Sequence, residues 1–210
     1  YSKTTKRRNH RTMKSAIVFD IDGTLADQMP RFNKGTNLLG KVLWDIVLDP
    51  LEVVKDKPLP FKINPVTTAL KYVDWVIFLT GRPERLQEIT TIWLMEYFIP
   101  DIPLSVWFND VEDLENPNKR LGIWMRSNDW HDDDVPANYV KRDAMRKLSI
   151  KFNIIAAFDD CCEDSLEGRR RLFEEHGAKF FHIDDREFWL NFDWEQIKCL
   201  KDPASMPAQK

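Results

Sequence analysis

Short apolar runs alternate along the chain with segments of helical periodicity. The first run, residues 16–21, contains Ile17, Val18 and Phe19 in succession, which predicts a strand buried on both faces. Three similar runs and two weaker ones predict further strands at 75–79, 154–158 and 179–183, then at 104–108 and 122–125. This alternation is typical of a mainly parallel sheet flanked by helices, so the predicted fold class is α/β.

Helices are predicted between these runs. Asn64-Pro65 fits an N-cap followed by proline at the first helical position, which predicts a helix from there to Tyr72. In residues 83–98, four apolar side chains share one face: Leu86, Ile89, Trp93 and Tyr97. Three more helices are predicted at 139–152, at 163–176 with Gly177 in the C′ position, and at 186–200 over the sheet edge.

Two stretches interrupt the alternation. Residues 27–63 hold an apolar helix candidate around 38–47 and a Pro-rich turn at 58–60, and residues 109–137 are acidic. Neither is long enough for a further α/β domain. We therefore expect one domain over residues 15–200 with no large cap, in which 27–63 is a candidate small lid.

Charge is unevenly distributed between the ends and the body of the chain. Residues 1–14 carry six basic side chains and no acid, whereas the whole chain has a net charge of −3. Such a basic tail is either a flexible leader or a contact for nucleic acid or polyphosphate. Residues 201–210 are expected to form a C-terminal tail.

The sequence argues against a membrane protein, a secreted protein, a disulfide-rich protein and a zinc protein. No apolar run reaches about 18 residues, which argues against a membrane span, and the N-terminus lacks the apolar core of a secretory signal. Three cysteines, two of them adjacent, fit neither a disulfide framework nor a zinc site. A reduced, cytoplasmic protein is the resulting expectation.

The segment from Phe19 to Leu25 carries the strongest chemical signal. Asp20 and Asp22 follow a predicted buried strand, and Gly23 allows a sharp turn, so both carboxylates reach the edge where parallel α/β sheets bind ligands. One carboxylate can attack phosphorus while the other protonates the leaving group. The simpler interpretation of an isolated Asp-x-Asp is a pair of solvated acids at a turn.

Two further motifs are weaker when taken singly. Thr80, Gly81 and Arg82 end the second predicted strand, where a hydroxyl, a backbone N–H and a following helix can cradle a phosphate. Lys141 can neutralise a nucleophile and a transferring phosphoryl group from the start of a helix. Outside this context, the first motif commonly caps a helix and a helical lysine is usually solvated.

The third predicted buried strand, 154–158, is followed directly by Asp159 and Asp160. Adjacent acids repel each other, and one or two carboxylates suffice to bind Mg²⁺. A helix-capping role explains one of them but leaves the other unexplained.

In this order the four motifs resemble those of the haloacid dehalogenase (HAD) superfamily. The resemblance implies a Rossmann-like HAD fold, with Mg²⁺ held between Asp20, the backbone carbonyl of Asp22 and an acid of the fourth motif, either Asp159 or Asp160, of which Asp160 is favoured. It also implies an aspartyl-phosphate on Asp20, with Asp22 as acid and then base, and with Thr80 and Lys141 on the phosphoryl oxygens. An aspartate at position 22 favours a phosphatase over a dehalogenase.

A closer resemblance is to the 3′-phosphatase domain of phage-type polynucleotide kinase-phosphatases. It depends on Asn64-Pro65, the Gly-Arg after Thr80, the pairs Met125-Arg126 and Lys141-Arg142, and the basic run 169–171. It implies that Arg82 and Arg126 contact the phosphate or its nucleic-acid chain. The chain departs from this pattern at Cys161, where an arginine is common, and it contains no Gly-x-x-x-x-Gly-Lys-Ser/Thr loop of a kinase.

Three hypotheses for function remain open from the sequence. The first is a phosphatase of 3′-phosphate ends of nucleic acid, as in DNA or RNA repair, and the second is a phosphatase of free nucleotides or another small phosphoester. The third is a catalytically silent binding module that keeps the fold. The intact Asp20, Asp22, Lys141, Asp159 and Asp160 argue against the third.

Overall fold

The computed structural model describes residues 13–100, 120–129, 135–161 and 163–201. Five predicted features lie wholly or mostly outside these residues: the basic tail, the strand candidate 104–108, the acidic stretch 109–137, Cys162 in the adjacent cysteine pair, and the tail beyond Lys201. Within the described ranges, no helix has both the length and the apolar character needed to cross a bilayer.

Seven strands are present in the described residues: β1 (Lys14–Phe19), β2 (Ala26–Asp27), β3 (Lys57–Pro58), β4 (Trp75–Pro83), β5 (Leu121–Arg126), β6 (Phe152–Asp159) and β7 (Lys179–His182). Five of them form a parallel sheet in the order β5-β4-β1-β6-β7. The chain thus runs outward from a central first strand in both directions, which is the Rossmann-like arrangement. The predicted α/β fold class is confirmed.

Nine α-helices accompany the described strands: α1 (Met29–Gly35), α2 (Trp44–Val47), α3 (Pro50–Val53), α4 (Pro65–Tyr72), α5 (Gln87–Phe98), α6 (Ala137–Lys151), α7 (Glu163–Glu174), α8 (Phe188–Asn191) and α9 (Glu195–Lys201). Helix α4 begins as predicted, because the Asn64 side chain accepts hydrogen bonds from the backbone N–H groups of Val66 and Thr67. Gly177, with φ +85°, lies just after α7 as predicted.

The predicted helix over 38–47 is wrong except at its last turn. The Asn37 side chain accepts hydrogen bonds from the backbone N–H groups of Leu39 and Lys41, and Gly40 has φ +77°. Asn and Gly favour such local turns over a helix, so this segment forms a tight loop. Only α2 remains of the predicted helix, and the unpredicted α1 precedes the loop.

The predicted single helix over 186–200 is also wrong in part. It is divided into α8 and α9, because Trp194 is buried and Phe192 packs edge-on against it with ring centroids 5.1 Å apart. Aromatic packing against the end of the sheet therefore overrides the continuous helical pattern. Helix α6 begins two residues before the predicted 139, and β4 extends through Pro83 instead of ending at Leu79.

Apolar side chains of β1 alternate between two cores. Ala16 and Val18 join the core under α6 and α7, whereas Ile17 and Phe19 join the core on the opposite face, with α4, α5, α8 and α9. This alternation follows from the period of two along a strand. The sheet is therefore covered on both faces, as the continuous apolar run predicts.

A row of four phenylalanines crosses the sheet next to its carboxyl edge. The strand register pairs Phe78 with Phe19, Phe19 with Phe158, and Phe158 with Phe181. The rings of Phe19 and Phe158 are stacked with centroids 5.0 Å apart, and those of Phe158 and Phe181 with centroids 4.9 Å apart. Phe19 precedes Asp20 and Phe158 precedes Asp159. The row therefore fixes where these two acids lie relative to each other along the carboxyl edge of the sheet.

We predict that Phe158→Ala lowers the free energy of unfolding by about 3–5 kcal/mol, because it leaves a large cavity in this row. The control is Ile150→Ala at a position 77% exposed on α6, which should change it by less than about 0.5 kcal/mol. Urea denaturation followed by circular dichroism gives both values. Equal effects of the two substitutions would contradict a central role for the row.

Candidate active site

The parallel sheet brings the predicted motifs to one edge. Asp20 follows β1, Asp159 ends β6 and Asp160 follows it, and Lys141 lies in the second turn of α6. Contacts between these side chains confirm that they meet, since the Nζ atom of Lys141 lies 2.9 Å from Oδ2 of Asp20 and 2.6 Å from Oδ2 of Asp159.

Asp20 occupies the centre of this group. Its backbone N–H donates a hydrogen bond of 2.9 Å to the carbonyl of Phe158, which fixes the residue beside the end of β6. Burial raises the pKa of its carboxyl to about 6, although the ammonium group of Lys141 acts in the opposite direction. At neutral pH the carboxylate is therefore mostly ionised.

Asp159 is held from two sides by basic groups. Besides Lys141, the Nη1 atom of Arg169 on α7 lies 2.7 Å and 2.6 Å from the two carboxylate oxygens of Asp159. Arg169 also donates to the side chain of Asn138 at 2.8 Å. Both oxygens of Asp159 therefore already accept hydrogen bonds.

Arg169 has no individual role in the sequence analysis, where it counts only as part of a basic run. Its side chain is buried in the structure, on the same side of α7 as the buried Leu172 and Phe173. Spacing of three and four residues from two apolar residues is a signal that could have identified it as an arginine facing inward.

Asp160 differs from its neighbour. In the described part of the chain, no basic side chain lies within ion-pair distance of its carboxylate. Burial, reinforced by the charges of Asp20 and Asp159, raises the pKa of Asp160 to about 8. Its Oδ2 atom lies so close to Gly23 that a Cβ atom there would be 1.7 Å away, and Gly23 has φ +79°, so only glycine fits at that position.

The three carboxylates provide a set of oxygen ligands. One oxygen from each of Asp20, Asp159 and Asp160 lies within 4.8 Å of the others. A shared divalent cation would offset the repulsion between the three carboxylates, and hard cations such as Mg²⁺ prefer carboxylate oxygen. These residues therefore fit a divalent metal.

Asp22 lies in a second charged group. The Nε atom of Arg82 is 3.1 Å from each carboxylate oxygen of Asp22, and its Nη2 atom is 2.5 Å from Oδ1. Arg31 on α1 forms a further ion pair with Asp22. Burial alone would raise the pKa of Asp22, but Arg82 and Arg31 outweigh it and hold the pKa well below its usual range.

Arg31 and Asp56 complete this group, and sequence reasoning missed both. The Nε atom of Arg31 is 3.0 Å from both oxygens of Asp56, and Nη2 of Arg82 is 2.8 Å from its Oδ2. Both residues belong to the stretch 27–63, which the sequence analysis treats as a candidate lid. Nothing in their local sequence distinguishes them from solvated charges.

The other predicted phosphate-binding residues lie around Arg82. Thr80 is fully buried, and its hydroxyl accepts a hydrogen bond of 3.1 Å from the backbone N–H of Arg82. Arg126, also buried, ends β5 beside Gly81, with its Nη2 atom 3.6 Å from where a Cβ of Gly81 would lie. The helix expected to begin directly after Arg82 does not, because β4 extends to Pro83 and a 3₁₀ turn (Glu84–Leu86) precedes α5.

The raised pKa of Asp160 gives a testable pH dependence of metal binding. With a pKa of about 8 the carboxyl is mostly protonated at pH 7 in the folded protein, so a metal has to displace that proton. We expect Mg²⁺ to release close to one proton per site at pH 7, and its affinity to rise from pH 6 to about 8 and then level off.

Calorimetric titration of Mg²⁺ in two buffers of different ionisation enthalpy measures the released protons. The control Asp129→Asn, in a turn that does not contribute to the cluster, should release the same number. An affinity that stays constant between pH 6 and 8, without proton release, would contradict this site.

No protein-family model matches the chain, and no curated protein matches its sequence. A chain in the structure of the Pnkp1/Rnl/Hen1 RNA repair complex is similar in fold, with a TM-score of 0.50 and 19% identity, over 87% of this chain and 46% of that chain. A second structure of the Pnkp1/Rnl/Hen1 complex gives a TM-score of 0.46 at 19% identity, over 86% of this chain and 50% of the other. The class C acid phosphatase from Bacillus anthracis with tungstate bound gives 0.47 at 16% identity, over 94% and 81%.

The chain thus spans about half the length of the Pnkp1/Rnl/Hen1 chains to which it is similar. At 19% identity, the likeness with a TM-score of 0.50 concerns the fold. Together with the strand order, it shows that the chain has the Rossmann-like α/β fold implied by the resemblance to the HAD superfamily.

Proposed function

We propose that this chain is a metal-dependent phosphatase in which Asp20 is the nucleophile. The observation that carries the proposal is the buried group of Asp20, Lys141, Asp159 and Asp160 at the carboxyl edge of the sheet. A carboxylate beside a lysine and a cation site can attack an anionic phosphoryl group, because the positive charges offset the repulsion.

The reaction has two steps. In the first, a carboxylate oxygen of Asp20 attacks phosphorus, the bond from phosphorus to the leaving oxygen breaks, and Asp22 donates a proton to that oxygen. In the second, water attacks the phosphorus of the aspartyl-phosphate and gives its proton to Asp22, and the bond from phosphorus to Asp20 breaks to release phosphate. Lys141 lies where it can stabilise the negative charge in both steps.

Asp22 begins this cycle ionised, because Arg31 and Arg82 lower its pKa. An arriving phosphate group carries negative charge that offsets the two guanidinium groups, which favours uptake of a proton from solvent by Asp22 before the first step. The same carboxylate then suits the second step, where a base is needed. The proton that Asp22 gains in the second step returns to solvent after phosphate leaves.

Mg²⁺ would fit as the metal and would be held by Asp20, Asp160 and, as the resemblance implies, the backbone carbonyl of Asp22, with Asp159 in the same cluster. We favour Asp160 over Asp159 as the direct ligand, because both oxygens of Asp159 already accept hydrogen bonds from Arg169. When bound, such a cation neutralises charge on the phosphoryl oxygens. Thr80, Gly81 and Arg126 remain the proposed contacts of the phosphate, whereas Arg82 would act on it through Asp22, because its guanidinium group is buried and pairs with Asp22 and Asp56.

The substrate that we propose is a 3′-phosphate end of nucleic acid. It is supported by the resemblance of the motifs to phage-type polynucleotide 3′-phosphatases and by the shortness of the 27–63 stretch, which favours an open site over one closed by a large cap. The basic side chain of Arg126, which lies beside Gly81, would contact its phosphate.

One observation favours free nucleotides as a second candidate substrate. A cavity of about 270 Å³ beside Asp160 is lined by Gln28, Met29 and Leu59, by three acidic side chains and by one arginine that pairs with the first of them: Asp27, Asp184, Asp185 and Arg186. Its acidic lining suits an uncharged nucleoside better than a phosphodiester chain.

We predict that Asp20→Asn lowers kcat by more than about a thousandfold with any substrate, because an amide cannot form the acyl-phosphate. The control Asp45→Asn removes an exposed acid and should keep full activity. Circular dichroism establishes that both variants fold. Substantial turnover by folded Asp20→Asn would refute the covalent mechanism.

For the substrate, we predict a higher kcat/KM for an oligonucleotide 3′-phosphate than for the matching nucleoside 3′- or 5′-monophosphate. The advantage should shrink as salt rises, because phosphate contacts release counterions. Measurements at low and moderate salt test this, with Asp20→Asn as the blank. A preference for mononucleotides at both salt concentrations would favour the nucleotidase.

A further inference from the structure

Two arginines and two aspartates form a closed group of charges, here called the charge ring: Asp22, Arg31, Asp56 and Arg82. Each guanidinium contacts both carboxylates, since Arg31 and Arg82 each pair with Asp22 and with Asp56. Positive and negative groups therefore alternate, and the ring as a whole is neutral.

The two carboxylates of the charge ring differ in access to solvent. The Asp22 side chain is 18% exposed, whereas that of Asp56 is 2% exposed and both arginines are buried. Asp22 thus faces the open side of the active site, and Asp56 lies behind the two guanidinium groups. A substrate can reach Asp22 but not Asp56.

Asp56 is fixed by contacts outside the ring. The indole N–H of Trp93 on α5 donates a hydrogen bond of 2.8 Å to the backbone carbonyl of Asp56. Arg31 is held likewise, because its Nη1 atom donates to the backbone carbonyl of Val47 at 2.8 Å. The ring therefore connects the 27–63 insertion to α5 and to both of the first two motifs.

Asp56 is needed because Arg31 and Arg82 both point at one carboxylate. Two guanidinium groups this close repel each other, and Asp22 alone balances only one of their charges. The second carboxylate supplies the missing charge and accepts a hydrogen bond from each arginine. Without it, two buried arginines would share a single carboxylate and would turn away from their present positions.

We propose that Asp56 is a positioning residue for the phosphatase reaction. It holds Arg31 and Arg82 from behind, so that they keep Asp22 directed at the oxygen that leaves phosphorus. This role depends on the proposed function, because it acts on the reaction only through Asp22.

Asp56→Asn tests the role, since it keeps the shape of the side chain and removes its charge. We expect kcat to fall about 10- to 100-fold for a phosphate ester with an alkyl alcohol leaving group, which requires protonation. The fall should be much smaller for p-nitrophenyl phosphate, because its leaving group departs as an anion. A general loss of structure would instead lower both rates equally, and that result would overturn the proposal.

The matched control is Asp49→Asn in the same insertion. Asp49 caps α3 by accepting a hydrogen bond from the backbone N–H of Leu51 and does not contact the charge ring. Because asparagine also caps helices, kcat and KM for both substrates should equal those of the unaltered chain.

A second variant covers the case in which Asp56→Asn does not fold. Arg31→Lys keeps the charge but cannot bridge two carboxylates, so it should show the same dependence on the leaving group. Equal losses on both substrates with Arg31→Lys would also overturn the proposal.

Nuclear magnetic resonance separates the failure of this proposal from failure of the proposed function. The Nε–H signals of Arg31 and Arg82 should be protected from solvent exchange in the unaltered chain and in Asp49→Asn, and should lose protection in Asp56→Asn. If the unaltered chain hydrolyses no phosphate ester, the proposed phosphatase function is refuted. The Nε–H signals would then test only whether Asp56 holds Arg31 and Arg82 in position. Protected signals in Asp56→Asn would overturn the positioning even in an active enzyme.

Discussion

Charges buried at the carboxyl edge of the sheet have to be neutralised where they lie, because removal from water is costly unless each group finds a partner. In the charge ring, two arginines balance two aspartates. In the metal cluster, Lys141 and Arg169 face three carboxylates, and Asp160 is the one with a strongly raised pKa. The charges of the charge ring are therefore balanced, whereas the metal cluster has more negative than positive groups and still attracts a cation.

Patterns that depend on local physics could be predicted from the sequence. The consecutive apolar residues Ile17, Val18 and Phe19 indicate a strand covered on both faces, and Asn64-Pro65 contains the complete signal for a helix start. The position of Asp20 and Asp159 follows from the same logic, since parallel strands end at a common edge. The place of Lys141 beside these acids does not follow from that logic, since it lies on a helix, and only its order among the other motifs predicted it.

Features that depend on contacts between distant residues could not be predicted. The pairing of Arg31 with Asp56 joins positions 25 apart in an irregular insertion, and that of Arg82 with Asp22 joins positions 60 apart. The distinction between Asp159 and Asp160 requires the position of Arg169, which only the packing of α7 against the site reveals. The failed helix at 38–47 shows that one Asn and one Gly can outweigh an apolar pattern.

The charge ring also determines which parts of this protein can be exchanged as modules. Arg31 and Asp56 come from the 27–63 insertion, whereas Asp22 and Arg82 come from the ends of two central strands. An insertion from another protein of this fold, transplanted by itself, would leave two buried groups on the strands without their counter-charges. The insertion and the two strand ends therefore have to be exchanged together, in evolution as in protein design, although they are separate in the sequence.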